Sequence, residues 1–323
     1  MKKSITKLLM NFGEYLPISR TIFKYLGMKL NYKMVSEARR KIVSRIGGSF
    51  YLRGMNNNYL SFQLFWKGGE YYEPLTQSLL NEILKDKDLF IDVGANIGLY
   101  SINAAVNNPN TNIIAFECNP KMHRMLKNNF DINDLNIKCE NYGISDKSGT
   151  TTLYISNSDM TSSLIDGFAY NQKTSVDIKT ISLDEYFKIN NLDDDFVMKL
   201  DIEGCEELAL KGGIKTLAKY KPDIVMEIVT NYPENHFSYL SNLGYKFYSI
   251  TDDGLNLDRN MKPQIKDSYF FSNYLISTKS TDEIEHLSNF LLKRISKVNL
   301  KRTSLYVNDK KIERIKSMQY CLN

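Results

Sequence analysis

One strand–loop–helix segment constrains the fold of this chain more than any other feature of the sequence. Leu89–Val93 is a short apolar run that predicts a buried strand, and a helical pattern follows over residues 97–107. The connecting segment, Asp92–Gly98, has glycine at positions 94 and 98. Glycine allows tight turns and close backbone approach, and a helix N-terminus offers free N–H groups to an anion. Such a unit is typical of α/β folds that bind nucleotide-like ligands.

Beyond this segment, apolar strand patterns alternate with helical ones. Alternation of this kind predicts a doubly wound α/β fold with helices on both faces of a mostly parallel sheet. Residues 151–156 and 175–182 alternate with period two and predict an added hairpin. Counting the first strand, we predict a seven-stranded, Rossmann-like sheet, whose other strands are residues 112–117, 136–141, 196–200, 223–229, 245–250 and 269–277.

The two ends of the chain differ in charge from its middle. Residues 1–50 hold 11 Lys and Arg against 2 Asp and Glu, and residues 293–316 hold 9 against 2, although the whole chain has a net charge of +5. The middle is therefore acidic, and helical spacing over residues 4–46 and 281–316 predicts helices at both ends. We divide the chain into a basic helical N-terminal extension (1–55), a core domain (56–280) and a basic helical C-terminal tail (281–323).

The charge distribution bears on possible partners. Basic ends suit contact with an anionic membrane surface, a nucleic acid or an acidic glycan, or they are simply solvated helices beside the core. The acidic middle argues against a nucleic acid as the main substrate, because phosphate binding requires a positive channel. The four cysteines are scattered, which fits a reducing compartment and gives no zinc motif. We expect a cytoplasmic protein, with peripheral membrane contact as an alternative.

Charged residues near the first strand predict the cofactor. Asp92 stands where a dinucleotide-binding loop has its first glycine, and it would repel a diphosphate. The pattern D-x-G-x-x-x-G therefore favours S-adenosylmethionine, whose carboxylate suits the helix N-terminus and whose ammonium suits Asp92. Glu117, 19 residues after Gly98, is placed to accept hydrogen bonds from ribose hydroxyls. We expect Gly94 to let the backbone approach the ligand and Gly98 to let the helix pack on the strand.

Four further residues complete the predicted cofactor site. Asn96 lies in the same loop, and Asn119 is the expected N-cap of the helix that follows Glu117. Ser145 and Asp146 follow the third strand and are placed to meet the adenine. The predicted cofactor-binding set is Asp92, Gly94, Asn96, Gly98, Glu117, Asn119, Ser145 and Asp146.

Charged residues also cluster after the fourth and fifth strands. Asp201 and Glu203 follow the fourth strand and Glu227 closes the fifth, so we expect them to converge at one edge of the sheet. Asp201 is predicted to act as a general base or orienting acceptor for a hydroxyl, helped by Lys199 and Glu227, with Glu203 beside them. Alternatively, Asp201, Glu203 and Glu227 bind Mg²⁺, or the group is structural, with Glu203 capping the next helix.

Two weaker candidates lie near this edge. His236 follows the fifth strand and is a candidate base, or else a residue on the helix surface. Trp66, Tyr71 and Tyr72 precede the core, where their rings either stack on a sugar or pack into the interior.

Four sequence blocks, in this order and spacing, resemble the FkbM-type family of S-adenosylmethionine-dependent methyltransferases. The resemblance covers residues 72–277 and implies a class I methyltransferase fold, commonly with O-methylation of hydroxyls on glycans or secondary metabolites. The family usually has proline where this chain has Cys118. The blocks are residues 92–100, 115–120, 199–204 and 222–227, and Tyr72–Pro74 and Ser182–Glu185 also match.

The sequence leaves three functions open. The first is an O-methyltransferase acting on a hydroxyl of a glycan or small metabolite. The second is a protein or nucleic-acid methyltransferase recruited by the basic ends. The third is a non-catalytic cofactor-binding module, which the carboxylates after the fourth and fifth strands disfavour.

Overall fold

The computed structural model describes residues 40–42, 48–53, 64, 69, 72–156, 162–165, 172–228, 236–259 and 272–297. The strands are β1 (Arg40–Ile42), β2 (Phe50–Leu52), β3 (Leu89–Val93), β4 (Asn112–Phe116), β5 (Lys138–Glu140), β6 (Gly143–Ile144), β7 (Gly149–Ser156), β8 (Ser162–Ser163), β9 (Gln172–Ile181), β10 (Phe196–Leu200), β11 (Asp223–Ile228), β12 (Lys246–Thr251), β13 (Gly254–Asp258) and β14 (Ser272–Ser277). The helices are α1 (Pro74–Ile83), α2 (Leu99–Asn107), α3 (Pro120–Asp131), α4 (Leu183–Ile189), α5 (Glu206–Gly212), α6 (Ile214–Tyr220), α7 (Ser238–Ser241) and α8 (Thr281–Lys297).

The central sheet has eight strands in the order β13-β12-β14-β11-β10-β3-β4-β5. From β5 to β11 all neighbours are parallel, and β14 is inserted antiparallel between β11 and β12. The chain order reverses between β3 and β10, which makes this the topological switch point of the sheet. In folds of this kind a ligand binds beyond the carboxyl ends of the strands at that point. The predicted doubly wound α/β fold is confirmed, with a sheet that is mixed rather than uniformly parallel.

The prediction of seven strands missed β13 at the edge of the sheet. Asp252 and Asp253 form the turn between β12 and β13, and Gly254, the first residue of β13, has a φ of 94°. An Asp-Gly pair between two strand-like segments is a hairpin signal, because a tight turn needs residues that tolerate positive φ.

Helices cover both faces of the central sheet. On one face α1, α2 and α8 pack through an apolar cluster that includes Leu80, Phe90 and Leu287. On the other face α4 to α7 pack through a cluster that includes Ile91 and Leu240. Adjacent strand residues such as Phe90 and Ile91 therefore point to opposite buried faces. This two-sided burial explains why the parallel strands are apolar throughout.

A second, four-stranded sheet contains the predicted hairpin. Its order is β6-β9-β7-β8, with β7 and β9 antiparallel from the Gly149–Thr180 pair onwards. A register shift at Ile155 and Ser156 interrupts the ladder. Ser182 caps the N-terminus of α4, because its hydroxyl accepts a hydrogen bond from the backbone N–H of Glu185 at 3.2 Å.

The N-terminal prediction is corrected where the chain is described. We predicted a helix over residues 4–46, but residues 40–42 form β1, which pairs with β2 and buries Ile42 against the core. The edge of β2 is held by two asparagines, Asn129 in α3 and Asn133 two residues beyond its end. Asn129 and Asn133 each accept a backbone N–H and donate back to a backbone carbonyl, at Arg53 and Tyr51 respectively. Tertiary contacts thus override the helical spacing, and residues 4–39 lie outside the described part of the chain.

The predicted C-terminal helix is present over residues 281–297 as α8. Its buried residues Ile284, Leu287 and Leu291 lie in the same cluster as Leu80. Residues 298–316 of that prediction lie outside the described part. Among the described helices, none is both long enough and apolar enough to cross a bilayer. The domain boundaries and the partners of the basic ends therefore stay predictions.

Candidate active site

The loop after β3 is bent by close contact between two chain segments. Gly94 has a φ of 85°, and a Cβ at this position would lie 1.9 Å from the backbone oxygen of Asp201. The Asp201 N–H donates to the Val93 carbonyl at 3.1 Å, so β3 and the segment after β10 touch here. The space that the missing Cβ of Gly94 leaves is filled by protein backbone, which is one reason for glycine here, and the contact of Gly94 with a ligand stays a prediction.

Gly98 has a related packing role at the start of α2. Its φ is 91°, and a Cβ there would lie 2.7 Å from Leu126 Cδ1 and 3.0 Å from Phe130 Cε1. Both neighbours belong to α3. Gly98 thus allows α2 to pack closely on another helix, whereas we predicted packing on a strand.

Asp92 presents a buried carboxylate at the end of β3. Only 1% of the residue is exposed, and Ser101 donates its hydroxyl hydrogen to Asp92 Oδ2 at 2.6 Å. The other oxygen, Oδ1, has no hydrogen-bond partner in the described part of the chain. Burial raises the pKa of Asp92, and the nearby Lys199 ammonium opposes that rise. A ligand that brings a positively charged donor would satisfy the free oxygen.

Glu117 is held in place by two backbone N–H groups. Asn96 donates to Glu117 Oε2 at 2.9 Å, and Asn119 donates to Oε1 at 2.8 Å. The left-handed backbone of Asn96, with a φ of 52°, lies in this loop. Burial raises the pKa of Glu117 to about 7 in spite of these two bonds. Each carboxylate oxygen keeps a second lone pair, with which it can accept a hydroxyl.

The side chain of Asn119 has a structural task of its own. Its amide oxygen accepts from the Lys121 N–H at 3.0 Å, as expected for the N-cap of α3. Its amide nitrogen donates to the Ser162 hydroxyl at 3.4 Å, which links this loop to β8. Asn119 is thus connected to the predicted cofactor site by its backbone N–H, which donates to Glu117.

Ser145 and Asp146 lie at the end of the second sheet. They follow β6, which is separated from β5 by two residues. The backbone N–H of Ser145 donates to Ile181 O at 3.1 Å, and its hydroxyl donates to Asp146 Oδ1 at 3.2 Å. A Cβ on Gly212 of α5 would lie 2.0 Å from the Ser145 carbonyl oxygen, so α5 packs directly on this turn. Their contact with adenine stays a prediction.

Lys199 is a buried cation at the centre of the site. The residue is 1% exposed, and its ammonium donates to Asp201 Oδ2 at 2.7 Å. It also lies 4.4 Å from the centre of the Tyr100 ring, within the range of a cation–π contact. Burial opposes the charge, but the carboxylates of Asp201, Glu73, Asp92 and Glu227 outweigh it and raise the pKa of Lys199. The ammonium therefore stays charged at neutral pH.

Glu227 is a buried partner of Asp201. It lies at the end of β11, next to the strand that carries Lys199, and its side chain is hydrogen-bonded to Asp201. Burial, followed by the negative charges of Asp201 and Glu73, raises the pKa of Glu227 well above its ordinary value. The raised pKa favours a proton on Glu227, whereas Asp201 is the carboxylate that the lysine pairs with.

Glu73 and Tyr100 belong to this site, although neither is among the site residues predicted from the sequence. Glu73 precedes α1 in a left-handed conformation with a φ of 44°, and the Tyr100 hydroxyl donates to Glu73 Oε2. Both residues are buried, and burial raises the pKa of Tyr100 well above its ordinary value. The available sequence signal was an acidic residue directly before Pro74, at a helix start.

Glu203 lies in the turn after Asp201 and Ile202. It has a φ of 55°, and its carbonyl accepts a hydrogen bond from the Ser163 hydroxyl at 2.8 Å, which links β8 to this turn. Glu203 also raises the pKa of Glu227 electrostatically, as a smaller contribution than burial. Cys205 is the N-cap residue of α5 and makes no side-chain cap hydrogen bond, and Glu206 Oε1 accepts the N–H of Gly204, the residue before the cap, at 2.9 Å.

The weaker candidates have other contacts. His236 Nε2 lies 3.0 Å from Glu207 Oε2 of α5, which favours the helix-surface alternative over a catalytic base. Tyr72 is half-buried and packs against the apolar clusters beneath α1 and α2. Trp66 and Tyr71 lie outside the described residues.

The Mg²⁺ alternative gains no support from the geometry. Within the described ranges, no three His, Cys, Asp or Glu side chains are arranged to hold a metal ion. Asp201 is paired with the Lys199 ammonium, which occupies the place beside the carboxylate that a cation would take.

Comparison with known proteins identifies a domain in the middle of the chain. Residues 92–247 match the family model described as the methyltransferase FkbM domain. Methyltransferase sdnD from Sordaria araneosa is 29% identical over 159 residues, which are 40% of this chain and 61% of that protein. Hexuronic acid methyltransferase AglP from Haloferax volcanii is 33% identical over 136 residues, 42% of this chain and 53% of that protein. The matched part thus spans less than two thirds of either relative.

A solved structure of a putative SAM-dependent methyltransferase from Streptococcus mutans is also similar. It is 11% identical with a TM-score of 0.39, and the alignment covers 77% of this chain and 56% of that one.

Proposed function

Since residues 92–247 match the family model of the methyltransferase FkbM domain, we propose that this chain is an S-adenosylmethionine-dependent O-methyltransferase acting on a hydroxyl of a glycan or small metabolite. The observation that carries the proposal is the Lys199–Asp201–Glu227 group beside the switch point of the sheet. It puts the Asp201 carboxylate, paired with the Lys199 ammonium, next to Glu227, whose pKa burial raises, and close to the buried carboxylate of Asp92.

The residues around β3 and β4 fit the methyl donor. Asp92 Oδ1 is a buried acceptor without a partner among the described residues, and it suits the ammonium of the methionine part. Glu117, fixed by two backbone N–H groups, suits the two ribose hydroxyls. The start of α2 suits the methionine carboxylate, because the first N–H groups of a helix have no partner within it. When bound, the donor supplies an electrophilic methyl group.

The chain's own residues account for the other half of the reaction. Asp201 accepts the hydrogen of the acceptor hydroxyl, orients its oxygen towards the methyl carbon and receives the proton as the new O–C bond forms. Lys199 holds the Asp201 carboxylate in one position and keeps it ionised. Glu227 donates a hydrogen bond to Asp201, because its raised pKa favours the protonated form. Glu203 keeps the turn after Asp201 tied to β8 through Ser163.

Relatives support the proposed class of acceptor. The name of the Haloferax volcanii relative states that it methylates a hexuronic acid, which is a sugar with several hydroxyls. For the basic ends, recruitment to a membrane or to a nucleic acid remains the alternative that the sequence left open.

A transfer assay with the full chain tests the proposal. Labelled methyl transfer to glycan and metabolite extracts is compared between the parent, Asp201→Asn and the exposed control Glu285→Gln. We expect Asp201→Asn to lower kcat by about 100-fold or more, in the range of general base catalysis, with donor affinity within a few-fold of the parent. Turnover of Asp201→Asn within a few-fold of the parent would refute the assigned role.

A further inference from the structure

Glu73 offers a buried hydrogen-bond acceptor that the proposed reaction does not use. The residue is 7% exposed, and while its Oε2 receives the Tyr100 hydroxyl, its Oε1 has no partner within the described part of the chain. Asn273 stands opposite Glu227 in the β11–β14 pair, so both point to the same face of the sheet. The amide oxygen of Asn273 is also buried and lacks a partner among the described residues. Buried acceptors in folded proteins are normally satisfied, so these two oxygens are open to hydrogen bonds from water or from the donors of a ligand.

These acceptors lie in the same group as the reacting residues. Tyr100 links them, because its hydroxyl contacts Glu73 while its ring lies 4.4 Å from the Lys199 ammonium. Glu73 is also close enough to Lys199 and Glu227 to affect the charge of both electrostatically. Glu73 therefore lies beside Asp201 and Glu227, where the acceptor must bind if Asp201 orients its hydroxyl.

The charge balance of the group selects among acceptors. Four carboxylates surround one ammonium, since Glu73, Asp92, Asp201 and Glu227 all act on Lys199. Even with Glu227 protonated, negative charge and acceptor atoms are in excess. A further carboxylate on the acceptor would be repelled at short range in a low-dielectric site. Hydroxyl groups, in contrast, would donate to the free oxygens.

Building on the proposed methyl transfer, we propose that Glu73 determines acceptor specificity and that the acceptor is a neutral, hydroxyl-rich sugar without a carboxylate. Glu73 Oε1 receives a hydroxyl next to the one that is methylated, and Tyr100 holds the Glu73 carboxylate in position. This acceptor differs in charge from the hexuronic acid in the name of the Haloferax volcanii relative.

Matched sugar pairs test this proposal. The probes are methyl glucoside with methyl glucuronoside, and methyl galactoside with methyl galacturonoside, each assayed for labelled methyl transfer by the full chain. We expect kcat/KM for the neutral member to exceed that for its uronic acid partner by 10-fold or more in at least one pair. Glu73→Gln should raise KM for the neutral sugar with a smaller change in kcat, and should narrow the ratio within the pair several-fold.

Two further variants keep the result interpretable. Tyr100→Phe removes the hydrogen bond to Glu73 but retains the ring beside Lys199, so it should also raise KM for the neutral sugar, and it covers the case in which Glu73→Gln fails to fold. The exposed substitution Glu285→Gln is the matched control and should leave the ratio unchanged.

Binding of S-adenosylmethionine is measured first, by calorimetry. It distinguishes a failure of the proposed function from a failure of the role assigned to Glu73. A chain that does not bind S-adenosylmethionine would refute the proposed function itself. A chain that binds the methyl donor but methylates no neutral glycoside, or prefers the uronic acids, would overturn the neutral-sugar acceptor and the role of Glu73. It would leave the proposed function standing. A ratio that Glu73→Gln and Tyr100→Phe both leave unchanged would overturn that assignment as well.

Discussion

The Lys199 ammonium lies 2.7 Å from Asp201 Oδ2, with Lys199 inside β10 and Asp201 directly after the end of that strand. This contact makes the two neighbouring carboxylates unequal, because it stabilises the charge of Asp201 while burial leaves Glu227 protonated. One carboxylate can then accept a proton while the other donates a hydrogen bond. The asymmetry depends on Lys199, which is itself buried.

Removing the lysine should destabilise the fold. Lys199→Met keeps the unbranched apolar part of the side chain but leaves Asp201 and its neighbours without their cation. We expect a loss of roughly 3–5 kcal/mol in the free energy of unfolding, the range for breaking a buried ion pair from one side. Urea denaturation measures it. Adding Asp201→Asn to Lys199→Met should recover part of the loss, and a double variant as unstable as the sum of the two single ones would contradict the pairing.

Glu117 should make stability depend on pH near neutrality. Its pKa is about 7 in the fold against an ordinary value of 4.5, so the folded protein favours the protonated form. The contribution of protonated Glu117 to the free energy of unfolding is fully present below pH 4.5 and is lost as the pH rises through 7. The glutamine of Glu117→Gln does not titrate, so the variant does not lose stability in this way. Its free energy of unfolding relative to the parent should therefore increase between pH 4.5 and pH 8, by at most about 3 kcal/mol.

The measurement is thermal or urea unfolding of both proteins across that pH range. Glutamine has only one oxygen for the two backbone donors, which costs about 1 kcal/mol at every pH and leaves the trend intact. A stability difference between parent and variant that does not change with pH would show that Glu117 is not protonated in the fold.

Gly94 should tolerate no side chain. In Gly94→Ala the Cβ would lie 1.9 Å from the Asp201 carbonyl oxygen, and the φ of 85° is unfavourable for alanine. We expect a loss of more than about 3 kcal/mol from the combined clash and backbone strain. The control is Gly149→Ala, whose Cβ would be 4.0 Å from its nearest neighbour. Equal melting temperatures for the two variants would argue against the close contact between β3 and the segment after β10.

The sequence predicted those features that depend on local pattern and strand order. Once β3, β10 and β11 are recognised as parallel neighbours, their polar carboxyl ends must meet, which brings Asp92, Asp201 and Glu227 together. Glu73 was not recognised, because its place in the site depends on how α1 packs and on a left-handed backbone that no pattern revealed.

Residues 40–42 were predicted as helix for a similar reason. Their strand pairs with β2, whose edge is held by Asn129 and Asn133, about 90 residues further along the chain. The loop after β3 also depends on a contact that its local sequence does not reveal. Its turn was predictable, but the neighbour that requires Gly94, the carbonyl of Asp201, comes from a distant segment.

Calorimetric titration of the full chain with S-adenosylmethionine, and in parallel with NADH, tests the central claim most directly. Asp92 and Glu117 should give saturable binding of the methyl donor and none of the dinucleotide, because Asp92 repels a diphosphate. Donor affinity should fall as the pH drops below 7, since protonation of Glu117 removes an acceptor for the ribose. Binding of NADH, or no detectable binding of S-adenosylmethionine, would contradict the account.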